Sequence, residues 1–202
     1  DGIIGGLWEY YIAYREVFPD KTAYIPFPVA VADTPAERYF SEPDNRIRLF
    51  MGIQRTRSQY KGTDILLPIL QQLVREHPDR FELTTVENVP FAEYRLRMRS
   101  SDILIDQLFS YPPNMNSLLA MSQGIVVAGG GEEEPYRFIG ENELRPIINL
   151  PCHEDEIRQT FLNLLNLSAE DLKRMKTDSI SYIRKHHDPA SVARSYLCFW
   201  NR

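Results

Sequence analysis

The chain has 202 residues, 43% hydrophobic and 25% charged, the balance of a folded domain with one substantial core and a small appended segment rather than of a disordered polymer. A net charge of −5 excludes a general polyanion binder, because non-specific nucleic-acid binding needs excess Lys and Arg to displace counterions; a local basic pocket for a phosphate stays open. Cys152 and Cys198 stand far apart and the four histidines make no helical ligand pair, so no disulfide framework, metal or cofactor is expected.

In chain order, Gly2 to Gly5 reads as a short strand, Leu7 to Val17 as a helix and Thr22 to Ile25 as a strand. Pro26, Pro28, Pro35 and Pro43 then mark a linker over 26–45, so that residues 1–25 are expected to be the tail of a preceding, truncated domain. From Arg46 the pattern alternates. Strands are expected at Arg46 to Met51, Phe81 to Val86, Asp102 to Asp106, Ile125 to Ala128 and Pro146 to Asn149. Between them lie a helix capped by Thr63 or Asp64 and running to Glu76, a second at Pro90 to Arg99, and a third capped by Asn116 and running to Ser122. Strands separated by helices pair in parallel through right-handed crossovers, so residues 46–202 are expected to form an α/β, doubly wound, Rossmann-like sheet.

The C-terminal extension reads as helical. Ile157, Phe161, Leu164 and Leu165 suit one amphipathic helix, Ser168 with Asp171 starts another with a capping box, and Asp188-Pro189 separates it from a last helix, Ala190 to Trp200. Apolar runs fall short of a bilayer span and the N-terminus has no leader pattern, so the expected compartment is the cytoplasm.

In open α/β sheets ligands bind beyond the carboxyl ends of the strands, which directs attention to the residues following each one. After the first core strand come Gly52, Arg55, Arg57 and Lys61, three cations leading into a helix start, a combination suited to a diphosphate. Asn88 follows the second strand, where a turn can offer backbone groups to a base edge. Gln107 follows the third, and Asn116 opens the next helix, whose free N–H groups suit a phosphate. After the fourth come Gly129, Gly130 and Gly131, which let backbone approach a sugar, and Glu132, whose carboxylate can hold sugar hydroxyls. Each has a plainer reading as a solvated loop, a cap or a turn.

The succession Phe50-Met51-Gly52, Arg57, Tyr60-Lys61-Gly62-Thr63-Asp64-Ile65-Leu66 resembles the opening of the donor domain in retaining GT-B glycosyltransferases of the large group 1, or family 4. Ser101 to Asp106 followed by Leu119 to Val127, and His187 to Ala193 at the C-terminus, resemble later segments of that group, in the same order. The resemblance, over about 46–202, implies the donor-binding half of a glycosyltransferase that moves a sugar from a nucleotide-diphosphate sugar to an unknown acceptor, usually without a divalent metal. It implies that Arg57 and Lys61 hold the diphosphate, with Arg55 a substitute, and that a separate N-terminal domain holds the acceptor. Peripheral membrane association of a full-length protein is compatible with it. Two family carboxylates are replaced here by Tyr111 and Leu119, so either Gln107, Asn116 and Glu132 take over part of their work or donor binding is altered. A nucleotide-sugar epimerase or phosphorylase of the same fold, and a non-catalytic binding module, stay open as alternatives.

Overall fold

A computed structural model of the chain describes residues 1–31 and 46–201. Five parallel strands, β3 (Ile47–Ile53), β4 (Phe81–Glu87), β5 (Ile103–Ile105), β6 (Val126–Gly129) and β7 (Ile147–Asn149), form one sheet in the order β4-β3-β5-β6-β7. Successive residues of a strand point to opposite faces, and here both faces are apolar. Leu49, Met51, Ile103, Ile105, Val126 and Ala128 enter one core, with Leu66, Leu70, Leu73, Ile157 and Phe161 from the helices α3 (Thr63–Glu76) and α7 (Glu154–Asn163). Phe50, Leu104 and Val127 enter the other, with Leu118, Met121, Tyr182 and Ile183 from α5 (Met115–Met121) and α8 (Ala169–His186). Helices on both faces of a parallel sheet make the doubly wound architecture expected from the alternating pattern.

Two further strands, β1 (Ile3–Gly5) and β2 (Thr22–Tyr24), pair in parallel around helix α1 (Trp8–Val17) as a separate two-stranded sheet. The space over Gly2 is taken by Phe199 of the last helix, α9 (Pro189–Trp200), since a Cβ on Gly2 would lie 2.3 Å from its Cζ. Val29 N–H donates to the His187 carbonyl at 2.8 Å, and His187 Nδ1–H donates to the Phe27 carbonyl. The linker expectation falls largely on 32–45, outside the described residues.

Four local expectations are corrected. Residues read as an open loop are helical: Arg55–Arg57 forms a 3-10 turn and Ser58–Lys61 a short helix, α2. Neither Thr63 nor Asp64 caps α3; Gly62, at φ 71°, is both the end of α2 and the N-cap of α3. The cap of α5 is Asn114, not Asn116, its side-chain oxygen accepting from Asn116 N–H and Ser117 N–H. The Glu132-Glu133-Glu134 run is no simple turn but opens helix α6 (Glu133–Phe138), in which Pro135 and Tyr136 are buried. The Ser168–Asp171 capping box is present at the start of α8, and Pro189 opens α9.

Candidate functional site

A cleft of about 430 Å³ opens where β3 and β5 diverge to β4 and β6, beyond the carboxyl ends of the strands. Crossovers leave β3 and β5 in opposite directions, so among the described residues no crossover helix covers this point, which is the usual ligand site of doubly wound sheets. Gly52, Ile53 and Gln54 at the end of β3 form one wall. Val86, Asn88 and Val89 continue from β4, and Phe91 and Tyr94 come from α4 (Phe91–Met98). Lys61 and Thr63 stand at the junction of α2 and α3, while Ile105, Asp106, Gln107 and Asn116 close the opposite side.

Lys61 is placed by backbone. The left-handed turn at Gly62 reverses the chain, Ser58 Oγ and Thr63 Oγ1 share a hydrogen bond of 2.8 Å across it, and the Lys61 carbonyl accepts Leu108 N–H at 2.8 Å. No Cβ fits on Gly62, since it would lie 2.6 Å from Leu108 Cβ. Lys61 therefore lines the cleft directly before the positive end of the 14-residue helix α3, and a cation and a helix start both attract an anion.

The cleft floor is polar and buried. Ser117 Oγ donates to Asp106 Oδ2, and the Gln107 N–H and the Asn116 side chain stand near enough to favour its charge. Burial raises the Asp106 pKa above the ordinary carboxylate range, although Ser117, the Lys61 charge, Gln107 and Asn116 all pull it down. The Tyr94 hydroxyl, hydrogen-bonded to Asn116, is pushed up to about 12 by burial. Gly52 is required by this tyrosine, because a Cβ there would lie 2.7 Å from the Tyr94 ring.

Of the residues singled out in the sequence, the cleft brings together Gly52, Lys61, Asn88, Gln107 and Asn116. Asn88 adopts φ 53°, the one positive φ outside glycine among the described residues, a conformation Asn tolerates better than most. Arg55 and Arg57 are outside the lining. Arg55 Nε donates to Glu87 Oε1 at 2.5 Å, which spends its charge on a neighbouring carboxylate, and the Arg57 guanidinium lies over the Tyr60 ring, 5.4 Å from its centroid. Of the two cations expected to share the crevice, Lys61 lines the cleft and Arg57 does not. Gly130, Gly131 and Glu132 are also outside it. Their glycine requirement has a packing cause, since a Cβ on Gly130 would lie 2.1 Å from the Ser110 carbonyl oxygen and one on Gly131 2.9 Å from Ile147. Glu132 N–H donates to the Tyr111 carbonyl at 3.1 Å, and Tyr111 itself packs against Trp8 in a tilted arrangement, ring centroids 5.4 Å apart, and donates its N–H to Glu9 Oε1 at 2.6 Å.

The sequence singles out Thr63 only as a cap and Asp106 only as a strand end, and it gives no sign of Tyr94, yet all three line the cleft. Tyr94 lies on a helix whose pattern says nothing of its neighbours, and only the strand order brings it to Asn116. The signal for Asp106 was a carboxylate ending an otherwise apolar strand.

No family model matches the sequence, and no curated protein matches it. Solved structures do match. The whole chain superposes on part of a TarM point mutant from S. aureus solved in complex with fondaparinux, alpha-GlcNAc-glycerol and UDP, with TM-score 0.73 and 12% identity over 100% of this chain and 44% of that one. Sucrose-phosphate synthase from Thermosynechococcus elongatus matches with TM-score 0.66 and 13% identity, over 100% of this chain and 58% of that one. HepE from Anabaena, in complex with UDP and glucose, matches with TM-score 0.69 and 12% identity, over 99% of this chain and 63% of that one. The chain thus spans about half of the length of the proteins it matches. These proteins are GT-B glycosyltransferases, and the chain has the fold of a GT-B C-terminal domain.

Proposed function

We propose that the cleft binds a nucleoside diphosphate with its sugar, and that the chain is the donor half of a glycosyltransferase. The observation that carries the reading is the placement of Lys61 and the start of α3 at the strand-end cleft of this fold, in a fold shared with proteins solved with UDP. Transfer breaks the bond between sugar and diphosphate through an oxocarbenium-like transition state. Negative charge grows on the departing diphosphate, and a fixed ammonium beside helix N–H groups stabilises that charge more in the transition state than in the ground state. Retention of configuration and a hexose as the transferred group follow from the family resemblance and belong to this proposal, as does an acceptor site supplied by a further domain.

A second reading, a binding module without catalysis, is favoured by one observation. Where the resemblance expects carboxylates stand Tyr111, packed against Trp8, and Leu119, neither of which accepts a hydrogen bond as a carboxylate does.

Calorimetric titration with UDP-, GDP- and ADP-sugars tests the proposal. One of them binds, and Lys61→Ala weakens it by about 1.5–3 kcal/mol, the range for a hydrogen bond to a charged group. Equal affinity in the variant removes Lys61 from the site. Product formation from a bound donor separates the transferase from the binding module.

A further inference from the structure

Resting on the reading of the cleft as a nucleotide-sugar site, we infer that Asp106 is the residue that reads ring hydroxyls there, accepting a hydrogen bond from a hydroxyl of the bound ligand. Asp106 lines the cleft yet is only 7% exposed. A buried carboxylate has to be explained, because desolvation penalises its charge. Capping is not the explanation. Asn114 already accepts from the Asn116 and Ser117 N–H groups at the start of α5, and it does so without help.

The surroundings of Asp106 fit an acceptor that is held for use. A carboxylate has about four lone-pair positions; Ser117 Oγ donates to one of them, and the Gln107 N–H and the Asn116 side chain stand near enough to favour its charge. That leaves room for one more donor from the cleft. A phosphate oxygen cannot be that donor, since it has no proton to give and carries like charge, whereas a sugar hydroxyl can. Asn116 links Asp106 to the Tyr94 hydroxyl, so an acceptor-only group stands next to groups that both donate and accept. Adjacent hydroxyls on a ring present the matching pattern. Lys61 is close enough for its charge to act on Asp106, which places the diphosphate position and the hydroxyl position side by side.

Ring hydroxyls could come from the transferred sugar or from the ribose, and four ligands separate these sources: the nucleotide sugar, the nucleoside diphosphate, its 2′,3′-dideoxy counterpart, and inorganic pyrophosphate. Asp106→Asn keeps the shape and removes the acceptor charge. If the transferred sugar is read, this variant loses about tenfold in affinity for the nucleotide sugar while the diphosphate binds as before or tighter. If the ribose is read, the loss appears with the diphosphate and is absent with the dideoxy compound. In either case pyrophosphate binding is undiminished, because a like charge has been removed. Equal changes with all four ligands, or no change with any, overturn the assignment. A wild-type chain that binds none of the four overturns the reading of the cleft itself and takes the assignment with it. Should Asp106→Asn not fold, Asn116→Ala keeps the carboxylate but removes a group that orients it; the same selectivity then falls by a smaller factor, and unchanged selectivity overturns the inference.

Discussion

Gly62→Ala tests how the backbone presents Lys61. Its φ of 71° is left-handed, which costs an L-residue about 1–2 kcal/mol. The new Cβ would lie 2.6 Å from Leu108 Cβ and 3.0 Å from its Cδ2, a clash of the kind that costs about 1–3 kcal/mol in a packed core. Reduced freedom of the unfolded chain returns about 0.4–1 kcal/mol, so the net loss is about 2–4 kcal/mol. Gly140 supplies the control: its φ is also 71°, but a Cβ there meets nothing within 4 Å. Gly140→Ala should therefore lose only about 0.5–1.5 kcal/mol. Equilibrium urea unfolding of both variants measures the two losses under one set of conditions. Nucleotide affinity should fall with Gly62→Ala and not with Gly140→Ala, because Leu108 N–H is bonded to the Lys61 carbonyl. If the two variants lose the same stability, the contact with Leu108 is not what fixes the turn.

Asn114→Ala should cost about 1 kcal/mol in urea unfolding, the usual value of a lost N-cap, whereas Asn116→Ala should leave the cap intact. Lys176→Ala should cost about 3–5 kcal/mol, because Lys176 Nζ donates to Asp102 Oδ1 at 2.6 Å with both side chains buried, and the carboxylate would be left without that partner. Burial lowers the His187 pKa from 6.5 to about 4. The native state then binds fewer protons than the unfolded chain between these values, so stability is complete above about pH 6.5 and falls as the pH drops toward 4, by about 3 kcal/mol at most from this group. Thermal melts across that window should show the slope, and His187→Gln should flatten it.

The layered fold was legible because both faces of the central strands are apolar. Runs such as Ile103-Leu104-Ile105 and Ile125-Val126-Val127 can only be strands buried on two sides once helical segments separate them. Local chemistry was less legible where two residues could serve one purpose. Asn114 and Asn116 are both able to cap, and spacing alone does not choose between them. The acidic run Glu132-Glu133-Glu134 suits a solvated turn by its charge, yet acids in a first helical turn complement the helix dipole and Pro135 is tolerated there. Charge counting overstated the basic loop: Arg55 and Arg57 carry the same signal as Lys61 in the sequence, but one is matched by Glu87 and the other rests on Tyr60. Partners supplied by strand order, as Tyr94 and Asp106 are for Asn116, leave no trace in local sequence.

A crystal structure of the chain with a nucleoside diphosphate sugar shows whether the strand-end cleft is the nucleotide site. Diphosphate oxygens are expected within hydrogen-bond reach of Lys61 Nζ, in the cleft between the ends of β3 and β5. A nucleotide seated elsewhere on the chain, with this cleft empty, would contradict this assignment.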